Sequence, residues 1–214
     1  MNIFPKGFDT NLRLGIAGAV VMLGAVGAVA AYLLHPKQLD TGYQPEQPVP
    51  YSHKLHAGNL GLDCTYCHAT VDKSSYAAIP ATETCMNCHH RVKDKSPKLQ
   101  MIRDSYATGQ PVPWVKVHRL PDYVYFNHQA HISAGVSCVT CHGRIDQMQE
   151  VMQVNTLNMA WCLDCHRNPA PNVRPAQFVT KLDWQPDIDA AELGRKIIAE
   201  KGINPPQTCS GCHR

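Results

Sequence analysis

The chain has 214 residues, 44% hydrophobic, 17% charged and 7% aromatic, with a formal net charge of +3 when histidine is neutral. That balance excludes a disordered or collagen-like chain, and so modest a charge argues against a nucleic-acid partner. Ten cysteines and twelve histidines stand beside only four phenylalanines and three tryptophans, so something other than side chains is expected to fill the interior.

From Leu14 to Leu34 runs LGIAGAVVMLGAVGAVAAYLL, 21 residues without a charge. As a helix it is roughly 31 Å long, enough to span a bilayer core. Ala28-Val29-Ala30 resembles a small-residue cleavage site, which makes a secretory signal the competing reading; we take the segment as a retained anchor. Lys6, Arg13 and the amino terminus on the near side point to a cytoplasmic N-terminus, with everything after His35 periplasmic. Gly15 with Ala19, Gly24 with Ala28 and Gly27 with Ala31 lie four apart, a spacing that admits a helix from a partner subunit.

All ten cysteines fall into five Cys-x-x-Cys pairs, each followed at once by histidine: CTYCH at 64–68, CMNCH at 85–89, CVTCH at 138–142, CLDCH at 162–166 and CSGCH at 209–213. Thiols three apart share one face of a helical turn, where both can form thioethers to the vinyl groups of one haem while the next histidine reaches the iron. Zinc uses Cys-x-x-Cys but does not explain a histidine after every pair. A disulfide framework joins distant loops, and a thioredoxin-like pair needs a strand-helix context absent here. The expected cofactors are therefore five c-type haems, held by Cys64, Cys67, Cys85, Cys88, Cys138, Cys141, Cys162, Cys165, Cys209 and Cys212. The proximal iron ligands are His68, His89, His142, His166 and His213. Five haems on about 179 residues outside the membrane leave roughly 36 residues each, so the porphyrins themselves must serve as core. The expected fold is a multihaem cytochrome c: mostly short α-helices and irregular loops packed around five covalent haems, plus one N-terminal transmembrane helix.

Seven histidines remain, and four form two His-x-x-His pairs, in YSHKLHAGNLGLDCTYCH (51–68) and YFNHQAHISAGVSCVTCH (125–142). Each continues to a second attachment site, after 16 residues (69–84) or 19 residues (143–161), so the chain repeats one dihaem unit. Histidines three apart on a helix face one side and can ligate two neighbouring irons. His53 and His128 are expected to serve the haem attached just after them, and His56 and His131 the other haem of the unit or a neighbour. The fifth haem must borrow its sixth ligand, and His118 is the favoured source. His90, Met148, Met152 and Met159 are alternatives, Met86 is a poor one inside its motif, and His35 is read as an interfacial side chain.

The organisation read from these marks is an anchor at 1–35, an extended Pro- and Gln-rich linker at 36–50, a first dihaem unit at 51–110 and a second with the fifth haem at 111–214. KDKSPKLQ reads as a loop closing the first unit, and DIDAAELGRKIIAEK as an amphipathic helix beside the fifth haem.

With those residues in view, the extramembrane part resembles the multihaem cytochromes of the c3 and c7 group. The whole chain, through IFPKGFDTNLR, QPVPYSHKLHAG, IPATETCMNCH, WVKVHRLPDYVYFNHQAH and MAWCLDCHR, resembles the pentahaem cytochrome subunits of alternative complex III. His118 belongs to the pattern of those subunits and His90 does not. The resemblance implies an electron-carrier subunit of a bacterial respiratory complex. Its partners would be iron-sulfur and quinol-binding membrane subunits, and its acceptor a periplasmic cytochrome c or a terminal oxidase. The rivals are a stand-alone membrane-anchored quinol dehydrogenase and a multihaem reductase with an open haem site.

Overall fold

The computed structural model describes residues 5–213, which divide into two compact units, one reaching Thr41 and the other starting at Gly42. In the first, α1 (Phe8–Leu33) follows Gly7, whose φ of 90° suits a residue without a Cβ. It starts six residues before the uncharged run, and its first turns carry an exposed Asp9–Arg13 pair at 2.9 Å. With a mean hydropathy of 2.2 it is the one described helix long and apolar enough to cross a membrane, by length and composition alone. The short α2 (Pro36–Leu39) has proline at its first position and His35 as its cap, the ring Nδ1 accepting from Lys37 N–H at 3.2 Å.

The larger unit is a series of short helices with no strand among the described residues beyond a single bridge between Val136 and Val173. Residues 43–50 are extended, as the prolines require, and they are tied down. Gln47 exchanges two hydrogen bonds with the backbone of Val115 at 2.9 and 3.0 Å, Gln44 donates to the Glu150 carbonyl at 2.8 Å, and Val49 is 4% exposed. Val49 joins Met86, Ile102 and Val112 in an apolar cluster flanked by Cys85, Leu99 and Trp114.

In chain order the unit contains a π-turn at Lys54–Asn59, α3 (Cys64–Cys67), α4 (Thr82–His89), α5 (Gln100–Thr108), α6 (His128–Ala134), α7 (Cys138–His142), α8 (Met159–Arg167), α9 (Ala190–Lys201) and α10 (Cys209–Cys212). The stretch read as a loop near residue 100 ends in a 3₁₀ turn and leads into α5, which buries Ile102 against α4. The amphipathic helix exists as α9, capped by Asp189 (Oδ1 to Glu192 N–H, 2.9 Å) and closed by Gly202 at φ 63°. It buries Gly194 and Ile197, and it packs on the turn Ala170–Asn172 after the fourth Cys-x-x-Cys pair. A Cβ on Gly194 would lie 1.8 Å from the Ala170 carbonyl oxygen, so only glycine permits that approach.

Only ten apolar side chains are buried among the described residues, and a 173-residue unit cannot be held by so thin a core alone. Beside this thin core the chain carries five pairs of thiols, half-buried except for the exposed Cys88 and Cys209, and those pairs define the site.

Candidate haem sites

Every Cys-x-x-Cys pair lies within a single helical turn: α3 is the first pair, α4 and α8 carry theirs in their last turns with His89 and His166, α7 runs from Cys138 to His142, and α10 is the fifth. Local chemistry starts these turns. Asp63 Oδ1 accepts from Thr65 N–H at 3.0 Å, Asn158 Oδ1 accepts from Trp161 N–H at 2.9 Å, and buried Ser137 donates to the Val179 carbonyl at 2.7 Å. All ten cysteines are free thiols, and each helical turn presents two of them to one side.

The histidines after the pairs share a second contact. Their Nδ1 atoms meet backbone carbonyls: His68 that of Ala78 (2.8 Å), His89 that of Val92 (2.8 Å), His166 that of Pro206 (2.6 Å) and His213 that of Tyr123 (3.1 Å). A carbonyl only accepts, so Nδ1 carries the proton and Nε2 keeps its lone pair for a metal. His142 is the exception, its Nδ1 lying 3.3 Å from Nε2 of His118, with the rings edge-on at 4.3 Å between centroids.

The His-x-x-His histidines follow the same rule. His56 Nδ1 meets the Ser52 carbonyl at 2.9 Å, His131 Nδ1 the Asn127 carbonyl at 2.7 Å, and His128 Nδ1 the Ser75 carbonyl at 2.9 Å. His53 is the exception: its Nδ1 is buried with no hydrogen-bond partner among the described residues. An aromatic ring two residues before each pair holds both imidazoles. Tyr51 is edge-on to His53 at 4.8 Å and stacked on His56 at 4.5 Å, while Phe126 is edge-on to His128 at 4.7 Å and stacked on His131 at 4.5 Å. Sequence reading missed this pair of clamps, although aligning YSHKLH with FNHQAH exposes the shared aromatic position.

Three distal rings lie beside proximal ones: His56 and His89 at 6.2 Å between centroids with planes 63° apart, His128 and His142 at 6.4 Å and 7°, and His131 and His166 at 6.1 Å and 38°. A metal-bound imidazole nitrogen lies about 2.0 Å from the metal and about 1.1 Å from its ring centre, so two rings on opposite sides of one metal have centres roughly 6.2 Å apart. The observed spacings fit an iron between each pair. His68 lies close enough to His53 to disfavour a charge on it. Burial, with the nearby His68 and His56, holds His53 down at about 4. Burial, then His118, His128, His68 and His53, holds His142 down at about 3. Both rings are neutral at physiological pH, the form that ligates. Among the described residues no three His, Cys, Asp or Glu side chains gather to bind an ion by themselves, so the donors come as pairs.

Of the other candidates, His90 Nδ1 meets the Met86 carbonyl at 2.6 Å and its ring is edge-on to Tyr106. Met148 lies with its methyl carbon 3.6 Å from where a Gly143 Cβ would be, next to the third site, whereas Met152 and Met159 are exposed. The ring beside His213 is that of Tyr123, 5.7 Å away and tilted by 33°.

Residues 30–111 match the class III cytochrome c family, and residues 124–214 match cytochrome c7 and related cytochromes c. A stretch of 118 residues is 35% identical to the multihaem cytochrome c subunit of a menaquinone reductase from Nitratidesulfovibrio vulgaris. The match spans 55% of this chain and about half, 54%, of that protein. Thiol pairs on helical turns, imidazoles at the spacing of a shared iron and the two family matches point the same way: one stretch of the chain is similar to class III cytochromes c and another to cytochrome c7, both multihaem cytochromes c of electron transport.

Proposed function

We propose that this chain is the pentahaem electron-transfer subunit of a membrane quinol-oxidising respiratory complex of the alternative complex III kind. It is anchored by α1 and passes electrons from an iron-sulfur or quinol-binding partner to a periplasmic cytochrome c or a terminal oxidase. The observation that carries this reading is the set of three imidazole pairs at 6.1–6.4 Å, each joining a distal histidine to the histidine of a Cys-x-x-Cys-His turn.

The ligand pairs are His53 with His68, His56 with His89, His128 with His142 and His131 with His166, and Cys209, Cys212 and His213 hold the fifth haem. His118 turns its Nε2 to His142, so we assign it to orienting that ring instead of to the fifth iron. When bound, each haem supplies a one-electron ferrous/ferric couple. The chain's own residues do the rest: at the first four sites two imidazoles would hold the iron and leave no place for substrate, the Nδ1 contacts fix ring tautomers, and Tyr51 and Phe126 keep the distal rings from turning.

The relative's name supports a second reading, in which the same conduit delivers electrons to menaquinone. The test is to purify the chain with its native partners from membranes. Quinol-dependent reduction of a cytochrome c supports the first reading, and quinone reduction driven by a reduced cytochrome supports the second. Quinol oxidation by the chain freed of all partners would instead favour a stand-alone quinol dehydrogenase.

A further inference from the structure

We propose that the haems are wired in the order second, first, third, fourth, fifth, so that electrons enter and leave at the second and fifth sites and the first site is internal. This rests on the reading that each Cys-x-x-Cys-His turn holds a haem, and it goes beyond it, because order along the chain and order in space differ.

Each link stands on contacts between attachment segments. The second and first sites meet where Asn87, inside the second motif, donates to the Tyr66 hydroxyl, inside the first, at 3.1 Å. The first and third sites are joined by the peptide Val179–Thr180. Cys138 N–H and Ser137 donate to the Val179 carbonyl at 3.3 and 2.7 Å, Cys64 Sγ lies 3.8 Å from the Thr180 carbonyl, and Thr180 donates to Asp63 at 2.8 Å. The π-turn that carries His56 also packs on the turn after the third site, with Lys54 N–H donating to the Met148 carbonyl at 2.9 Å.

The third and fourth sites share one cleft of about 310 Å³, lined by Thr140 from one motif and Asp164 and Cys165 from the other. The fourth and fifth sites meet through Pro206. Its carbonyl accepts from His166 at 2.6 Å, and its ring packs where a Cβ on Gly211, inside the fifth motif, would stand 2.5 Å away.

Exposure agrees independently. Among the ten cysteines, Cys88 of the second site and Cys209 of the fifth are the exposed ones, as the two ends of a wire require. Transfer along it makes and breaks no bond. One electron leaves a one-electron donor, such as an iron-sulfur centre, at one end, each iron in turn is reduced and reoxidised, and a one-electron acceptor takes it at the other.

The test counts neighbours in the full-length holoprotein. An electron on one haem repels an electron on the next, so removing a haem raises the midpoint potential of those beside it. In redox titrations followed by electron paramagnetic resonance, C85A/C88A is expected to shift one remaining haem and C64A/C67A two. Two shifted haems for C85A/C88A and one for C64A/C67A, the pattern of chain order, would overturn the proposal, and so would equal numbers. If a deletion variant does not accumulate, His56→Met and His53→Met keep all five haems and are read by the same count. The haem content of the unaltered protein, determined by mass, tests the underlying reading separately.

Discussion

The two His-x-x-His units use the same cassette with different surroundings. In both, an aromatic residue clamps two imidazoles, edge-on at 4.7–4.8 Å and stacked at 4.5 Å, although Tyr51 precedes a π-turn and Phe126 a regular α-helix. The aromatic contacts are therefore repeated, but the hydrogen bonds behind the rings are not. His128 Nδ1 leans on the Ser75 carbonyl, while His53 Nδ1 has no partner among the described residues. His68 leans on a carbonyl while its counterpart His142 leans on an imidazole. Hydrogen bonds to a ligating imidazole tune the metal it holds, so on the proposed pairing the two units are expected to have like ligands and unlike potentials.

The bluntest way to break the likeness is to remove one distal ring from each unit. His56→Ala and His131→Ala are each expected to convert one haem from low to high spin and to add one carbon-monoxide-binding haem per chain over the unaltered protein, read by absorption spectroscopy. No added binding in either variant would contradict the pairing. The glycines that seat the units come next. A Cβ on Gly58 would lie 2.2 Å from the Asp146 carbonyl oxygen, and one on Gly135 would lie 2.3 Å from that of Arg174 at a φ of +93°. Gly58→Ala is expected to cost about 2 kcal/mol from overpacking, and Gly135→Ala about 3 kcal/mol because the left-handed backbone adds its own strain. Denaturant melts of the two variants should rank them so.

A subtler change makes the units alike at the third site. His118→Ala removes the imidazole that accepts from His142, a hydrogen bond worth about 1 kcal/mol, or roughly 40 mV in a one-electron couple. The potential of that haem is expected to rise, because a less electron-rich proximal ring stabilises ferric iron less. His118→Asn, whose amide oxygen can accept, should recover part of the shift. An unchanged potential with altered stability alone would mean that His118 only packs. Smallest is the exchange of clamps: Tyr51→Phe with Phe126→Tyr should alter stability by less than about 1 kcal/mol, since both rings present the same faces to their histidines.

Much of the site was legible because covalent attachment imposes a local pattern: two cysteines and a histidine within five residues need no knowledge of the rest of the chain. α1 and α9 were legible for the same reason, one by an unbroken apolar run and the other by Asp189 and Gly202 at its ends. α5 was not, because its buried side chains, Ile102 and Ser105, make too sparse a stripe within a polar stretch. Residues 36–50 read as an extended linker because they are rich in proline and glutamine, yet the stretch opens with the helical turn α2, and Gln44 and Gln47 find backbone partners 106 and 68 residues away. The contact of His118 with His142 and the neighbourly order of the five turns depend on pairings at similar separations, which periodicity does not encode.

The most direct measurement is the intact mass of the purified, denatured chain. We expect the polypeptide plus five haems, with all colour remaining on the protein in acidified organic solvent. A mass without haem, or colour that passes into the solvent, would contradict covalent attachment at the five thiol pairs.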